Sequence, residues 1–126
     1  MARILVIDDD ATARELISDQ LKAEGFSVAT AAGGLEGLKL AKELRPIAIT
    51  LDVMMPGMDG LTTLGQLRAN ARTASIPVIF MTAKVQKAEV DQYRAAGAGF
   101  IAKPFDPMRL PADVARLLDT DLRRTA

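Results

Sequence analysis

The sequence predicts a single α/β domain built on a parallel β-sheet. Short apolar runs rich in branched residues alternate along the chain with segments whose apolar residues recur at helical spacing. Parallel strands cannot be joined by tight hairpins, so each crossover takes a helix and the helices cover both faces of the sheet. The length of 126 residues and the apolar content of 49% suit one core and leave no room for a second domain.

Five short apolar runs predict the strands. The third, "IAITL", is nearly all apolar on both sides, as expected for a central strand between two layers of helices. The predicted strands are residues 3–8, 26–30, 47–51, 77–82 and 99–102.

Helical spacing and end signals predict the helices between these strands. Asp10 is a favoured residue for capping the first helix, and Gly25 and Gly97 follow helices. Pro107 suits the start of the last helix, but Pro111 four residues later would remove a helical hydrogen bond, so we expect an irregular first turn. The apolar positions are Ala13, Leu16, Ile17 and Leu21 in the first helix, Leu35, Leu38, Ala41 and Leu44 in the second, Leu61, Leu64 and Leu67 in the third, residues 85–96 in the fourth, and Val114, Leu117 and Leu118 in the fifth.

Composition excludes several classes of site. The chain has no histidine and no cysteine, which rules out Ser/His triads, Cys/His pairs, histidine-ligated zinc and disulfides within it. The formal net charge is zero and the basic residues are scattered, so we expect protein or ion partners and no nucleic-acid partner. Without an apolar stretch of about 18 residues or a secretory signal, we also expect no membrane partner and a cytoplasmic location.

Polar residues stand at the predicted carboxyl ends of four strands, the edge of an open parallel sheet where ligands bind. They are Asp8 and Asp9, Asp52, Thr82 and Lys103. Each alone has an ordinary explanation as a helix cap, a turn residue or a solvated lysine. Together they form a complementary set: like charges about 4 Å apart repel by about 4 kcal/mol at an effective dielectric near 20, so three acids need a cation. Oxygen ligands favour Mg²⁺.

A metal beside a carboxylate, a lysine and a hydroxyl suits phosphoryl transfer, in which positioning and charge neutralisation supply most of the catalysis. Asp52 would be the nucleophile and would form an acyl phosphate. Lys103 and the Thr82 hydroxyl would each contact one phosphoryl oxygen.

Four motifs in this order, "VIDDD", "LDVMMPGMDG", "FMTAK" and "GFIAKPF", resemble the CheY-like receiver domain of two-component response regulators. The resemblance covers residues 2–119 of one domain spanning 1–126, with 120–126 expected to be a frayed tail. It implies a flavodoxin-like three-layer α/β/α sandwich, with five parallel strands in the order 2-1-3-4-5 flanked by five helices.

The resemblance also implies a role for individual residues. The docking face for the phosphodonor would be Ala11, Arg14 and Glu15, with the loop at Pro104 and Phe105. The site roles are Asp52 as phosphoacceptor, Asp9, Asp52 and the backbone carbonyl of Met54 as ligands of Mg²⁺ or Mn²⁺, Asp8 as a ligand through water, Thr82 and Phe100 as switch residues, Lys103 as the phosphate-sensing lysine before a cis Pro104, and Met54 and Lys84 as positions that tune phosphoryl lifetime.

By the same resemblance, the function is that of a phosphorylation-dependent signalling switch. The domain would take a phosphoryl group from a histidine kinase or a histidine phosphotransfer protein and assist its own phosphorylation and dephosphorylation without being an enzyme in the usual sense. The surface of the fourth helix, fifth strand and fifth helix would then change and regulate a protein target. The sequence does not choose between a stand-alone protein and a piece of a larger regulator or hybrid kinase.

Two alternatives remain at this point. "DDDAT" also matches the D-x-D-x-T motif of haloacid-dehalogenase-type phosphatases, with Asp8 as nucleophile and Asp10 as acid, but that interpretation leaves Asp52 and "MMPGMDG" unexplained. The other alternative is an interaction module on the same fold that works without phosphorylation.

Overall fold

The computed structural model describes residues 3–82, 87–96, 99–103 and 105–125. Lys84 and Pro104, which have predicted roles, lie outside the described residues, and Thr82 is described in its backbone alone. The elements are β1 (Arg3–Ile7), α1 (Ala11–Ala23), β2 (Ser27–Ala31), α2 (Gly34–Leu44), β3 (Ala48–Asp52), α3 (Gly60–Ala69), β4 (Val78–Thr82), α4 (Lys87–Ala96), β5 (Gly99–Ala102) and α5 (Leu110–Thr125).

The five strands form one parallel sheet in the order β2-β1-β3-β4-β5. This order confirms the predicted topology, and each strand begins and ends within one residue of its predicted limits. β3 lies in the middle, and all five of its residues are buried. Its register pairs Ile7 of β1 with Leu51 and Met81 of β4 with Asp52, so these three strands end close to the same level.

Alternate residues of the strands enter two cores, one on each face of the sheet. Leu5 and Ile49 face the core that α2 and α3 cover, whereas Ile4 and Ala48 face the core that α1 and α5 cover. The helices contribute Ala41, Leu64 and Leu67 to the first core and Ile17, Leu21, Leu110 and Val114 to the second. Helices therefore cover both faces of the sheet, as the nearly continuous apolar character of "IAITL" predicted.

Hydrogen bonds at the helix starts determine where the helices begin. The Asp10 side chain accepts a hydrogen bond from the Thr12 N–H at 3.0 Å and caps α1, as predicted. The irregular start of α5 is also confirmed, because the N–H groups of Met108 and Arg109 bond to Asp106 in a turn before the helix. α5 begins at Leu110 and continues to Thr125 through the segment expected to fray, and the predicted domain limits stay a prediction.

Among the described helices, none combines the length and the apolar character needed to cross a membrane.

One buried polar group lacks a partner among the described residues. The Thr50 hydroxyl lies in the centre of β3, where the residue is 1% exposed, and it makes no hydrogen bond there. A buried hydroxyl without a partner carries the cost of its lost hydration.

We therefore expect Thr50→Val to raise the free energy of unfolding of the metal-free protein by about 1 kcal/mol, because the methyl group fills the same space without that cost. Thr63→Val is the matched control: Thr63 is fully buried, but its hydroxyl donates to the Asp59 carbonyl at 2.8 Å, so the control should lose stability. Chemical denaturation measures both changes. Equal losses in the two variants would contradict the argument.

Candidate functional site

Three carboxylates meet at the carboxyl ends of β1 and β3. Asp8 and Asp9 directly follow β1, and Asp52 is the last residue of β3. One oxygen from each lies within 4.8 Å of the others. Asp8 and Asp52 are only 1% and 7% exposed, whereas Asp9 is exposed. The cluster thus has two buried carboxylates and a third that is exposed to solvent.

Lys103 brings a cation to this cluster from the end of β5. Its Nζ lies 2.7 Å from Oδ2 of Asp8 and 3.5 Å from Oδ2 of Asp52. The ammonium thus bridges the two buried carboxylates across the sheet. By formal charge, the three carboxylates and one ammonium sum to two negative charges.

Asp8 is the most firmly held of the three acids. Its Oδ1 accepts the Asp10 N–H at 2.9 Å, and its Oδ2 accepts Lys103. Its own N–H donates to the Ala31 carbonyl at 3.1 Å, and its carbonyl accepts Nη1 of Arg14 at 2.8 Å. Every polar atom of Asp8 therefore has a protein partner, and both of its carboxylate oxygens are already engaged.

Burial dominates the electrostatics of Asp52. It raises the pKa of this carboxyl group from 3.8 to about 6; the Lys103 charge and the Met54 N–H, 3.2 Å from Oδ1, oppose the rise, and the charges of Asp8 and Asp9 add to it. Burial pushes the pKa of Lys103 down, but its hydrogen bond to Asp8 and the charges of both acids outweigh this and leave that pKa raised. At neutral pH the lysine is charged and Asp52 is mainly ionised.

Gly60, the first residue of α3, supports the backbone of the Asp52 segment. A Cβ at this position would lie 2.5 Å from the Asp52 carbonyl oxygen and 2.6 Å from the Val53 Cα. The Gly60 N–H also donates to the Val53 carbonyl at 2.9 Å. Asp59 caps the helix by accepting the Thr62 N–H at 2.8 Å. Asp59 and Gly60, the "DG" of "MMPGMDG", thus allow the start of α3 to pack closely against the end of β3.

The other predicted site residues that the structure describes are Thr82, Phe100 and Met54. Thr82 ends β4 and pairs with Ala102, next to the pairing of Asp52 with Met81, so its backbone lies at the same edge of the sheet. Phe100 is half-buried on β5 and packs against the core under α2 and α3. The Met54 side chain is exposed.

Two residues that support the site were not singled out for that role from the sequence. One is Gly60, which the sequence placed only in a turn-rich loop. The other is Arg14, which the resemblance placed on a docking face. No sequence pattern predicts its hydrogen bond to the Asp8 carbonyl.

The donor set fits a hard divalent cation. All three acids offer oxygen, the exposed Asp9 leaves the cluster open to solvent, and the charge balance leaves room for two positive charges. Mg²⁺ in proteins typically takes one or two carboxylates and keeps several waters, which suits a cluster of this size.

The chain matches a known protein family over most of its length. Residues 4–115 match the sequence profile described as the response regulator receiver domain. Among curated relatives, the DNA-binding dual master transcriptional regulator RpaA of Synechocystis is 42% identical over 119 residues, covering 94% of this chain and 49% of the relative. The DNA-binding response regulator MtrA of Mycobacterium tuberculosis is 40% identical over 121 residues, covering 94% and 52%.

Solved structures give the same answer for the fold. The chemotaxis response regulator CheY4 of Vibrio cholerae superposes with a TM-score of 0.86 at 30% identity, covering 93% of this chain and 98% of that one. A response regulator from Desulfuromonas acetoxidans gives a TM-score of 0.85 at 31% identity, covering 95% and 98%.

One prediction about partners is contradicted. The scattered charge of the chain predicted no nucleic-acid partner, but RpaA and MtrA are DNA-binding regulators by name, and the chain spans about half the length of each. A charge pattern describes only the residues over which it is counted, and it says nothing about the other half of a longer regulator.

The raised pKa of Asp52 generates a pH-dependent prediction. Because the folded protein binds this proton more tightly than the unfolded chain, the contribution of Asp52 to stability is full below pH 3.8 and is lost as pH rises through about 6. Asp52→Asn should therefore stabilise the metal-free protein by about 2 kcal/mol near pH 7.5 and have little effect near pH 4. Denaturant titrations across this pH range measure the difference.

Asp59→Asn is the control of opposite sign. The Thr62 N–H lowers the pKa of the Asp59 carboxyl group, so its contribution to stability is present above pH 3.8 and is lost as pH falls. The control variant should be slightly less stable than wild type at neutral pH and equal to it in acid. A stability gain for Asp52→Asn that does not change with pH would contradict the assignment of this gain to the ionisation of a buried carboxyl group.

Gly60 gives a second prediction for this site. Gly60→Ala should lower the free energy of unfolding by about 2 kcal/mol, because the added methyl group meets backbone atoms that cannot rotate away. Gly65→Ala, in an exposed position of the same helix with nothing within 4 Å of its Cβ, should raise it by about 0.5–1 kcal/mol. Thermal and denaturant unfolding of the two variants test the contrast, and a Gly60→Ala protein as stable as Gly65→Ala would refute it.

Proposed function

Because the chain belongs to the response regulator receiver domain family, we propose that it is a phosphorylation switch in which Asp52 accepts a phosphoryl group from a phosphohistidine donor. The observation that carries this proposal is the position of the Asp52 carboxylate: it lies at the sheet edge, 3.5 Å from Nζ of Lys103 and beside two further carboxylates. Within this cluster, Asp9 is exposed and Asp8 is held by Lys103 at 2.7 Å. Asp52 is therefore the buried carboxylate that the lysine contacts less closely.

In the proposed reaction, a carboxylate oxygen of Asp52 attacks phosphorus and forms the acyl phosphate. The bond between phosphorus and the donor's imidazole nitrogen breaks, and its electron pair stays on the imidazole. Asp52 must be ionised to attack, and its pKa of about 6 satisfies this at neutral pH. Lys103 would neutralise one phosphoryl oxygen, and the Thr82 hydroxyl would bond another.

Asp9, Asp52 and the Met54 backbone carbonyl would hold Mg²⁺ or Mn²⁺, which neutralises phosphoryl charge when bound. Asp8 would act through water, and the two protein partners that its carboxylate oxygens already have support this outer role. By holding the reacting group, these residues would let the domain assist its own phosphorylation and dephosphorylation, while it remains a signalling domain rather than a classical enzyme.

The phosphorylated site would act on a partner through α4, β5 and α5. Phe100 on β5 is half-buried and borders a cleft of about 280 Å³ that also includes Phe105, Arg109 and Asp113, so a change in its packing would alter this surface. In a protein built like RpaA or MtrA, the surface would control DNA binding by the whole regulator. In a stand-alone receiver, the surface would instead bind a separate protein target. We retain a single receiver domain over 1–126, with its core at 2–119, as part of this proposal.

Chemical mapping of the phosphoryl group tests the proposal. Incubation with Mg²⁺ and a small acyl phosphate should label Asp52, which borohydride reduction and peptide mass spectrometry locate. Asp52→Asn should abolish the label, and Asp8→Asn should slow labelling but leave it on Asp52.

Two other outcomes would overturn the proposal. Label on Asp8 that survives Asp52→Asn would favour the haloacid-dehalogenase-type phosphatase. A protein that takes no label from a small donor or a phosphohistidine kinase, and whose Asp52→Asn variant binds its partner unchanged, would favour a phosphorylation-independent module.

A further inference from the structure

We infer that Arg14 is a positioning residue that sets the direction of the Asp9 carboxylate toward the metal site. The inference deepens the proposed function and rests on its metal-binding role for Asp9. Arg14 is the fourth residue of α1, and its Nη1 donates to the Asp8 carbonyl oxygen at 2.8 Å. That carbonyl belongs to the peptide group that joins Asp8 to Asp9.

Both ends of the short connection between β1 and α1 are fixed by other contacts. On one side, the side chain of Asp8 is held by Lys103 and by the Asp10 N–H. On the other side, Asp10 caps α1 through the Thr12 N–H. Asp9 is the exposed residue between these anchors, and its carboxylate accepts no hydrogen bond from a described residue.

The direction of the Asp9 Cα–Cβ bond depends on the two rigid peptide groups that flank its Cα atom. Concerted rotation about the backbone bonds between the Asp8 and Asp10 Cα atoms would redirect Asp9 while both anchors stay in place. The guanidinium hydrogen bond to the Asp8 carbonyl restrains the plane of the first of these peptide groups. Without Arg14, a partly buried carbonyl would lose its side-chain donor, and the plane would lose a restraint.

Arg14 is itself well placed to act as a fixed donor. Its N–H donates to the Asp10 carbonyl at 2.9 Å, and its own carbonyl accepts the hydroxyl of the buried Ser18 at 2.7 Å. The planar guanidinium group directs its N–H bonds along fixed directions, which a flexible ammonium does not.

Geometry and charge make opposite predictions for this residue. A positive charge near the cluster weakens cation binding, so removal of Arg14 on electrostatic grounds alone should raise the affinity for every divalent ion. If Arg14 instead positions Asp9, its removal should lower affinity, and most of all for the ion that tolerates least distortion. Mg²⁺ demands nearly ideal octahedral geometry, whereas Ca²⁺ accepts flexible coordination.

The test compares Mg²⁺ and Ca²⁺ dissociation constants of wild type, Arg14→Met and Arg14→Gln by titration calorimetry. We expect about a tenfold loss of Mg²⁺ affinity in both variants, as for other residues that orient metal ligands, and less than about a threefold loss for Ca²⁺. Lys22→Met is the matched control, because it removes one positive charge from the same helix about 12 Å further along. Its two affinities should stay within about twofold of wild type.

Several outcomes would overturn the inference. Stronger binding of both ions would mean that Arg14 acts through its charge, parallel losses would mean general loosening of the site, and unchanged affinities would mean no role. Denaturant unfolding without metal shows whether each variant is folded, and the Gln variant replaces the Met variant if that one is not. Failure of wild type to bind Mg²⁺ would instead refute the metal site of the proposed function, which separates the two failures.

Discussion

The removal of two carboxylates from water is the constraint on which the site depends. Asp8 and Asp52 lie almost wholly inside the protein, and burial of a charge is costly unless partners replace its hydration. The Asp8 carboxylate has the Lys103 ammonium at 2.7 Å and the Asp10 N–H at 2.9 Å, whereas the Asp52 carboxylate has the same lysine at 3.5 Å and the Met54 N–H at 3.2 Å. The raised pKa of Asp52 is the sign of that incomplete compensation. The site is therefore built with a deficit of positive charge.

The parallel sheet makes this arrangement possible. Asp8 and Lys103 are 95 residues apart in the chain, yet their side chains form a 2.7 Å ion pair because β1 and β5 both end at the same edge. β3 stands between them in the sheet and is buried along its whole length. Its apolar residues carry no chemistry, but they fix the height and direction at which Asp52 leaves the core. The rigid core thus supplies the fixed positions that a charge-based site needs.

Much of the fold and the convergence of the site could be predicted from the sequence, because both follow from patterns that repeat along the chain. The run "IAITL" required a central strand, and parallel strands required Asp8, Asp9, Asp52 and Lys103 to share an edge. What could not be predicted depends on side-chain directions and close approaches, which leave no periodic signal. The bond from Arg14 to a carbonyl and the contact of Gly60 with the backbone are of this kind.

The nucleic-acid inference failed for a different reason. Net charge and its distribution describe the surface of the residues that are counted, and relatives about twice as long can be DNA-binding proteins whatever that surface is. The Thr50 hydroxyl shows a further limit, since a threonine in a central strand looks like an ordinary strand residue until its neighbours are known. Sequence patterns specified where polar groups lie in the sheet but not whether each one is satisfied.

Lys103 connects the charge deficit to a change of shape. It lies nearer to Asp8, at 2.7 Å, than to Asp52, at 3.5 Å, so the ammonium is held mainly by the acid that would not react. In the proposed function, phosphorylation would replace one negative charge at Asp52 by nearly two and add oxygens that accept hydrogen bonds. The balance between the two acids would then reverse and draw the lysine toward the new group. Because Lys103 directly follows β5, where Phe100 packs, a shift of this lysine would reach the strand whose surface would contact the partner in the proposed function.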